Sequence, residues 1–154
     1  MLPEKSEYNK RERGNIGKGY SLALKNMIKI ALLGSTGSIG RQVLNVVRRY
    51  SDRFSIVSLA AGSNAKLLCE QAAEFKPEII ALTDSEKATE IRELPKGVTL
   101  YTGENASLHA VTEKADVVFV AVSGFCGLSP VLEAIKLKKT IALANKETLV
   151  AEQL

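Results

Sequence analysis

The chain has 154 residues, of which 45% are hydrophobic and 25% charged, a balance typical of one globular domain with a buried core. No uncharged apolar stretch is long enough to span a membrane, and the single histidine excludes a zinc site built from several imidazoles. The net charge of +4 arises mostly in residues 1–26, where six basic residues face three acidic ones, so the nearly neutral remainder is not expected to bind nucleic acid.

The first 26 residues are polar, contain glycine and show no apolar periodicity. We therefore predict a flexible basic extension at 1–26 and one domain at 27–154. Three glutamates and only two serines in the extension do not match a plastid transit peptide. Cys69 and Cys126 share no metal-type spacing, so we expect two small, buried thiols in a reduced, cytoplasmic bacterial protein.

Short apolar runs alternate with helical periodicities along the domain. The predicted strands are Ile28–Leu33, Phe54–Ala60, Glu78–Leu82, Val98–Tyr101, Val117–Val122 and Thr140–Ala144. The predicted helices are Ser38–Tyr50, Ala65–Phe75, Ser85–Leu94 with Ser85 as its cap, Asn105–Lys114 and Leu128–Leu137, and another helix begins at Thr148. This alternation predicts an α/β protein with a doubly wound, mostly parallel sheet of the Rossmann-like dinucleotide-binding type.

The first predicted helix carries apolar residues at helical spacing. We expect its buried face to consist of Ile39, Val43, Val46, Val47 and Tyr50.

The sequence GSTGSIG joins the first strand to this helix, at the edge where parallel sheets bind ligands. Gly34 is expected to permit a tight turn, Gly37 to let a phosphate approach the backbone, and Gly40 to allow close packing of helix on strand. Free N–H groups and the positive end of the helix dipole favour a pyrophosphate there, with the hydroxyls of Ser35, Thr36 and Ser38 as further donors. A plain strand–helix turn is the alternative.

The second predicted strand ends without an acidic residue: no Asp or Glu occurs between Phe54 and Cys69. Gly62, Ser63 and Asn64 offer small polar groups instead, and Lys66 follows. A carboxylate would repel a 2′-phosphate, so the sequence favours NADP over NAD. Ser63 and Asn64 could equally serve as caps of the second helix.

A third polar stretch, Asn145-Lys146-Glu147, follows the last strand and is expected at the same edge. Its alternative is a solvated pair that opens a helix, with Asn145 as the cap.

Taken together, these motifs resemble the 1-deoxy-D-xylulose 5-phosphate reductoisomerase family over residues 27–154. The motifs are GSTGSIG, Ala61-Gly62-x-Asn64, Gly124-x-x-Gly127-Leu128-x-Pro130 and ALANKETLV at Ala142–Val150. The resemblance implies an NADPH-dependent oxidoreductase that converts 1-deoxy-D-xylulose 5-phosphate to 2-C-methyl-D-erythritol 4-phosphate in non-mevalonate isoprenoid biosynthesis. It also implies a divalent metal, Mg or Mn, that holds the oxygens of the substrate.

The same resemblance implies the roles of individual residues. Cofactor contacts are expected from Thr36, Gly37, Ser38, Ile39, Gly62, Ser63, Asn64, Asn145 and Glu147, and a substrate contact from Lys146. Some family members carry a basic residue where this chain has Ser63.

The resemblance further implies that the catalytic and metal-binding acids, the substrate-phosphate site and a C-terminal helical domain come after Leu154. We therefore expect no catalytic residue and no metal ligand in this chain, and no turnover by it alone. The whole enzyme would be a homodimer that acts on a sugar phosphate, without nucleic-acid or membrane partners. The alternatives are the nucleotide domain of a semialdehyde or homoserine dehydrogenase, and a non-catalytic NADP-binding module.

Overall fold

The computed structural model describes residues 27–144, which contain one six-stranded sheet. Its strands are β1 (Ile28–Leu33), β2 (Phe54–Ala61), β3 (Ile79–Leu82), β4 (Thr99–Thr102), β5 (Val117–Val120) and β6 (Thr140–Leu143). The spatial order is β4-β3-β2-β1-β5-β6, and all neighbouring pairs are parallel. The chain proceeds outward from β1 to β4 and then returns to the other side of β1, which confirms the predicted doubly wound parallel sheet.

Four α-helices and two 3-10 turns connect these strands. The helices are α1 (Ser38–Arg49), α2 (Ala65–Phe75), α3 (Ala106–Ala110) and α4 (Leu128–Lys136), and the 3-10 turns are Lys87–Glu90 and Gly124–Gly127. None of the helices within residues 27–144 is long and apolar enough to cross a membrane.

The helices cover both faces of the sheet, so the core has two halves. Ile30 and Leu32 of β1 belong to the half that α1 and α2 cover, whereas Ala31 and Leu33 belong to the half under α3 and α4. Successive side chains of a strand point to opposite faces, so a strand covered on both sides must be apolar throughout. This is why the central strands appear in the sequence as nearly continuous apolar runs.

The predicted helix Ser85–Leu94 is wrong. Only Lys87–Glu90 forms a 3-10 turn, and none of its residues is buried. Asp84, not Ser85, organises this segment, because its Oδ1 accepts hydrogen bonds from the backbone N–H groups two and three residues further on, at 3.1 and 3.2 Å. A helix needs an apolar face to pack, and this segment contributes only the partly buried side chains of Ala88, Ile91 and Leu94 to the core.

The predicted helix Asn105–Lys114 is shorter in the structure, where α3 ends at Ala110. Ser58 of β2 donates a buried hydrogen bond from Oγ to the carbonyl oxygen of Ala110, at 2.5 Å. The last turn of α3 is therefore bound to the sheet, and the chain leaves it in a non-helical conformation at Val111.

The buried face of α1 differs from the predicted one. Ile39 and Val46 are 42% and 50% exposed, while the residues that α1 buries are Gly40, Leu44 and Val47. Of these, only Val47 belonged to the predicted face. Gly40 packs on the turn after β1, next to Gly34, so the buried face of α1 consists of Gly40 and of the residues four and seven positions after it, Leu44 and Val47.

The two cysteines are not the buried residues that the sequence analysis expected. Cys69 is half-buried, Cys126 is exposed, and both are free thiols. Partial burial on α2, with a smaller contribution from the charge of Glu70, raises the pKa of the Cys69 thiol.

A salt bridge joins α1 to α2 on the outer side of the helical layer. The guanidinium of Arg48 binds both carboxylate oxygens of Glu74, with Nη2 2.8 Å from Oε2, and lies 5.5 Å from the ring centroid of Phe75. The hydrogen bonds from Arg48 lower the pKa of the Glu74 carboxyl, outweighing its slight desolvation.

We predict that Glu74→Gln lowers the free energy of unfolding by about 0.5 kcal/mol at neutral pH, the size usual for exposed pairs. Because the folded-state pKa of Glu74 lies below its unfolded value, the stabilisation exists above about pH 4.3 and is lost as the pH falls through the folded-state pKa. Urea denaturation at several pH values measures the difference between wild type and variant, which should shrink in acid.

The matched control is Glu70→Gln, on the same helix, since the described residues contain no ion pair to Glu70. A difference for Glu74→Gln that equals that of the control, or that persists unchanged in acid, would contradict the prediction.

Candidate functional site

The turn after β1 brings the ends of two strands into contact. Gly34 has a φ of +85°, and a Cβ atom there would lie 2.5 Å from the carbonyl oxygen of Ala121, the residue that follows β5. The tight turn predicted at Gly34 is confirmed. The close contact with the chain after β5, which the sequence did not indicate, explains why no side chain fits at this position.

Gly40 brings α1 onto the same turn. A Cβ atom at Gly40 would lie 2.0 Å from the carbonyl oxygen of Gly34, so α1 packs directly on the main chain that leaves β1. The close packing predicted at Gly40 is present, although its partner is the turn and not the strand.

Gly37 and Gly62 differ from these two glycines. A Cβ atom at Gly37 would lie 3.6 Å from its nearest neighbour, and one at Gly62 would meet nothing within 4 Å. Both have ordinary φ values, since neither is among the residues of positive φ. The fold therefore requires glycine at positions 34 and 40, but not at 37 and 62, where the missing side chain leaves open space beside the main chain.

The N–H groups of the turn divide into bonded and free ones. Gly34 and Ser35 both donate to the carbonyl oxygen of Ala60, at 2.8 and 2.9 Å, and Gly37 donates to the carbonyl oxygen of Gly34 at 3.3 Å. Helix α1 starts after Gly37 without a side-chain cap and without an acidic residue in its first turn. The first N–H groups of a helix have no acceptor within it, so those of α1 carry the uncompensated positive end of the helix dipole.

A groove of about 520 Å³ runs along the carboxyl edge of the sheet, the edge at which the parallel strands end. We call it the edge groove. Of the predicted cofactor residues, Thr36, Gly37 and Gly62 line it. It also contains Thr83, Glu104, Asn105, Leu108, Ser123 and Cys126, which the sequence analysis did not select. Most of these follow the ends of β3, β4 and β5, so applying the strand-end rule to every strand would have found them.

The other predicted residues do not line the edge groove or lie outside the described residues. Ser38 lines a second groove of about 500 Å³ between α1 and α2, and Ile39 is exposed. Ser63 is exposed at the end of β2. Asn64 caps α2, because its Oδ1 accepts a hydrogen bond from the N–H of Leu67 at 3.1 Å. Asn145, Lys146 and Glu147 lie outside the described residues, as does the helix predicted to begin at Thr148.

Ser35 is not the exposed donor that its place in the turn suggested. The residue is fully buried, and its Oγ has no hydrogen-bond partner among the described residues. Its carbonyl oxygen accepts a hydrogen bond from Nε2 of Gln71, which lies on α2 and is only 5% exposed, at 2.9 Å. Gln71 was not selected from the sequence, where it is one polar residue of an amphipathic helix.

The end of β2 carries no acidic residue, whereas Glu104 lines the edge groove after β4. Neither Gly62 nor its neighbours up to Lys66 carry a carboxylate, and α2 has no acidic residue in its first turn. Within residues 27–144, no three His, Cys, Asp or Glu side chains are grouped closely enough to hold a metal ion.

The strand order, the reversal beside β1 and the glycine turn at that reversal define a Rossmann-like α/β domain. Residues 30–152 match the family model for 1-deoxy-D-xylulose 5-phosphate reductoisomerase, and the chain belongs to this family.

Relatives and solved structures agree with this assignment. The chain is 50% identical over 125 residues to 1-deoxy-D-xylulose 5-phosphate reductoisomerase of Caldanaerobacter subterraneus subsp. tengcongensis, covering 80% of the chain and 33% of the relative. The Thermosynechococcus vestitus protein of that name is 48% identical over 126 residues, covering 78% of the chain and 30% of the relative. The chain thus spans about a third of the length of the relatives it matches.

Among solved structures, the Zymomonas mobilis reductoisomerase in complex with NADPH superposes with a TM-score of 0.74 at 32% identity, over 81% of this chain and 34% of that one. A reductoisomerase in complex with NADPH, fosmidomycin and magnesium gives 0.73 at 32% identity, over 80% and 31%. The family match decides against the semialdehyde and homoserine dehydrogenases that the sequence left open.

We predict that Gly40→Ala destabilises the chain by about 2 kcal/mol, because the methyl group would overlap the Gly34 carbonyl oxygen. A loss of stability would be informative, because alanine is intrinsically a better helix former than glycine by about 1 kcal/mol and would stabilise α1 if nothing opposed its methyl group. Urea denaturation monitored by circular dichroism measures the change.

Gly62→Ala is the matched control and should change stability by less than about 0.5 kcal/mol, since its methyl group meets nothing. Equal stability of the two variants would show that α1 does not pack on the turn as described.

Proposed function

We propose that this chain is the NADPH-binding part of a 1-deoxy-D-xylulose 5-phosphate reductoisomerase. The observation that carries the proposal is the uncapped N-terminus of α1, which opens beside Gly37 at the carboxyl edge, where the strand order reverses. Open main chain, free N–H groups and a positive helix end together form a site for a pyrophosphate. The semi-open groove of about 520 Å³ that begins there has room to hold a dinucleotide along the strand ends.

The pyrophosphate would be held by main chain. We propose that the N–H groups of Thr36, Ser38 and Ile39 surround it beside the open main chain of Gly37, with the hydroxyls of Thr36 and Ser38 as additional donors. Thr36 and Gly37 line the edge groove, and Ser38 and Ile39 are exposed in the first turn of α1. The absence of steric conflict at Gly37 supports this arrangement, since the fold does not need glycine there and a close ligand does.

The adenosine 2′-phosphate would be held at the end of β2. Gly62, Ser63 and Asn64 are all exposed there, and Lys66 is exposed in the first turn of α2. The absence of a carboxylate from this turn favours a 2′-phosphate over a free ribose hydroxyl. Asn64 caps the helix with Oδ1, which leaves its amide nitrogen as a donor.

The remaining contacts are proposed from the family. Asn145 and Glu147 would contact the nicotinamide half, and Lys146 would bind the anionic substrate, since the three residues follow β6 closely in the sequence. NADPH supplies the hydride for the reduction when it is bound.

For the whole protein, we propose the conversion of 1-deoxy-D-xylulose 5-phosphate to 2-C-methyl-D-erythritol 4-phosphate with Mg or Mn as the metal. Homologous structures described as complexes with magnesium support the metal requirement. A homodimer and a cytoplasmic location stay predictions from the sequence.

The proposal is tested by a fluorescence titration of the full chain with NADPH beside NADH. Ser63→Asp places a carboxylate where the 2′-phosphate is expected, and it should weaken NADPH binding by about tenfold while leaving NADH binding nearly unchanged. The matched control is Ser51→Asp, which adds the same charge at an exposed position just after α1, where the chain leads into β2.

Saturable NADPH binding that Ser63→Asp weakens and Ser51→Asp does not would support the assigned site. Equal affinities of the wild-type chain for NADPH and NADH would remove the 2′-phosphate assignment. A folded wild-type chain that binds neither nucleotide would overturn the proposed function of this chain.

We predict that the chain alone does not oxidise NADPH in the presence of 1-deoxy-D-xylulose 5-phosphate and Mg²⁺ or Mn²⁺. The physical reason is that the described residues offer no group of side chains that could hold the metal ion. Turnover is measured as the loss of absorbance of the reduced nicotinamide of NADPH. A full-length reductoisomerase serves as the positive control. Metal-dependent oxidation that requires the keto sugar phosphate would contradict this prediction.

A further inference from the structure

We propose that Gln71 positions the glycine turn for the pyrophosphate by fixing the peptide bond between Ser35 and Thr36. This inference rests on the proposed NADPH-binding function. It starts from one contact: Nε2 of Gln71 donates a hydrogen bond to the carbonyl oxygen of Ser35 at 2.9 Å, and both residues are buried.

Because the peptide bond is planar, a hydrogen bond that holds the Ser35 carbonyl also orients the N–H of Thr36. In a planar trans peptide the C=O and the following N–H point in opposite directions, and no cis peptide occurs in residues 27–144. The hydrogen bond holds the Ser35 carbonyl toward α2, so the N–H of Thr36 points away from α2. Thr36 lines the edge groove, so its N–H is held on the side of the turn that faces the proposed ligand.

Thr36 is also the first residue of the turn whose N–H is available. The N–H groups of Gly34 and Ser35 are both used by the carbonyl oxygen of Ala60. The N–H of Gly37 donates to the carbonyl oxygen of Gly34 at 3.3 Å, which closes a four-residue turn around the Ser35–Thr36 peptide. Turns of types I and II both keep such a bond but orient the central peptide differently, so without the bond from Gln71 this peptide could rotate while the turn stayed closed and attached to β2. The side chain of Gln71 is therefore what selects one orientation of the first ligand-facing amide.

A purely stabilising role does not explain Gln71. Its Oε1 and the Oγ of Ser35 are buried and have no hydrogen-bond partner among the described residues. Burying an unpaired polar atom is unfavourable, and an apolar residue of similar length would avoid it at Gln71. What glutamine supplies at this position is a hydrogen-bond donor, which an apolar residue lacks and which orients the Ser35 carbonyl.

The experiment compares wild type with Gln71→Met, which keeps the length of the side chain and removes the donor. Three ligands are titrated into the full chain: NADPH, NADH and adenosine 2′-monophosphate, which has the 2′-phosphate without a pyrophosphate. We expect Gln71→Met to weaken the binding of NADPH and of NADH by the same factor, about tenfold, because the charge-assisted bond from the Thr36 N–H to the pyrophosphate is lost. The affinity for adenosine 2′-monophosphate should not change.

A second measurement does not depend on any nucleotide. Hydrogen exchange of the Ser35 amide should be about tenfold faster in Gln71→Met, since the turn loses one of its attachments, while exchange of the Leu32 amide in β1 stays the same. The matched control is Ser58→Ala, which removes another buried bond from a side chain to a main-chain carbonyl, on the opposite face of the sheet. It should leave Ser35 exchange and all three affinities unchanged.

The outcomes separate the two proposals. If Gln71→Met binds NADPH as tightly as wild type does, or if its affinities for NADPH and adenosine 2′-monophosphate fall by the same factor, the positioning role is overturned and the proposed function stands. If the wild-type chain binds no nucleotide, the proposed function fails, and Ser35 exchange alone decides whether Gln71 orders the turn.

Should Gln71→Met not fold, the side-chain amide protons of Gln71 in the wild-type chain give the answer by nitrogen-15 NMR. Protection of these protons from exchange supports the bond to Ser35, and exchange at the rate of a free glutamine overturns it.

Discussion

The contact on which the site depends is the approach of Gly40 to the carbonyl oxygen of Gly34, too close for any Cβ atom. It brings the start of α1 onto the main chain that leaves β1. At the same turn, Gly34 also lies too close to the carbonyl oxygen of Ala121 after β5 for a Cβ atom. Two strand ends and one helix start therefore meet within a single turn, and the edge groove opens at this point because the sheet reverses its order there.

The four glycines around this point have two different physical roles. Gly34 and Gly40 are required by the packing of the protein itself, since a methyl group at either would overlap backbone atoms. Gly37 and Gly62 have room for a methyl group, so the protein alone gives no steric reason for them. A ligand that approaches the main chain closely supplies that reason, which makes the two open glycines the more informative ones for function.

Helices α1 and α2 support the site as a pair. At their outer side Arg48 binds Glu74, and nearer the turn Gln71 binds the Ser35 carbonyl. Among the helices of residues 27–144, α2 is capped by the side chain of Asn64, while α1, α3 and α4 have no side-chain cap. What distinguishes α1 is that it starts from the glycine turn, where open main chain lies beside its free N–H groups and an anion can approach them.

The sequence by itself determined the alternation of strands and helices, the parallel sheet and the family. Ile28–Leu33 and Ala65–Phe75 even have the predicted bounds, because periodicity and glycine or proline signals are local properties of the chain. The glycine turn and the acid-free end of β2 were equally visible, since they depend on residue type and order alone.

The tertiary structure decided which side chains face which partner. Gly40 and Leu44, and not the predicted Ile39 and Val46, are buried on α1. The helix predicted at Ser85–Leu94 does not form, and Ser35, expected to be exposed, is buried and bound by Gln71. It also added Glu104 and Asn105 to the groove, far along the chain from Gly34. These features could not be read from the sequence, because helix rotation and the meeting of distant strand ends follow from close packing between segments, which no local pattern encodes.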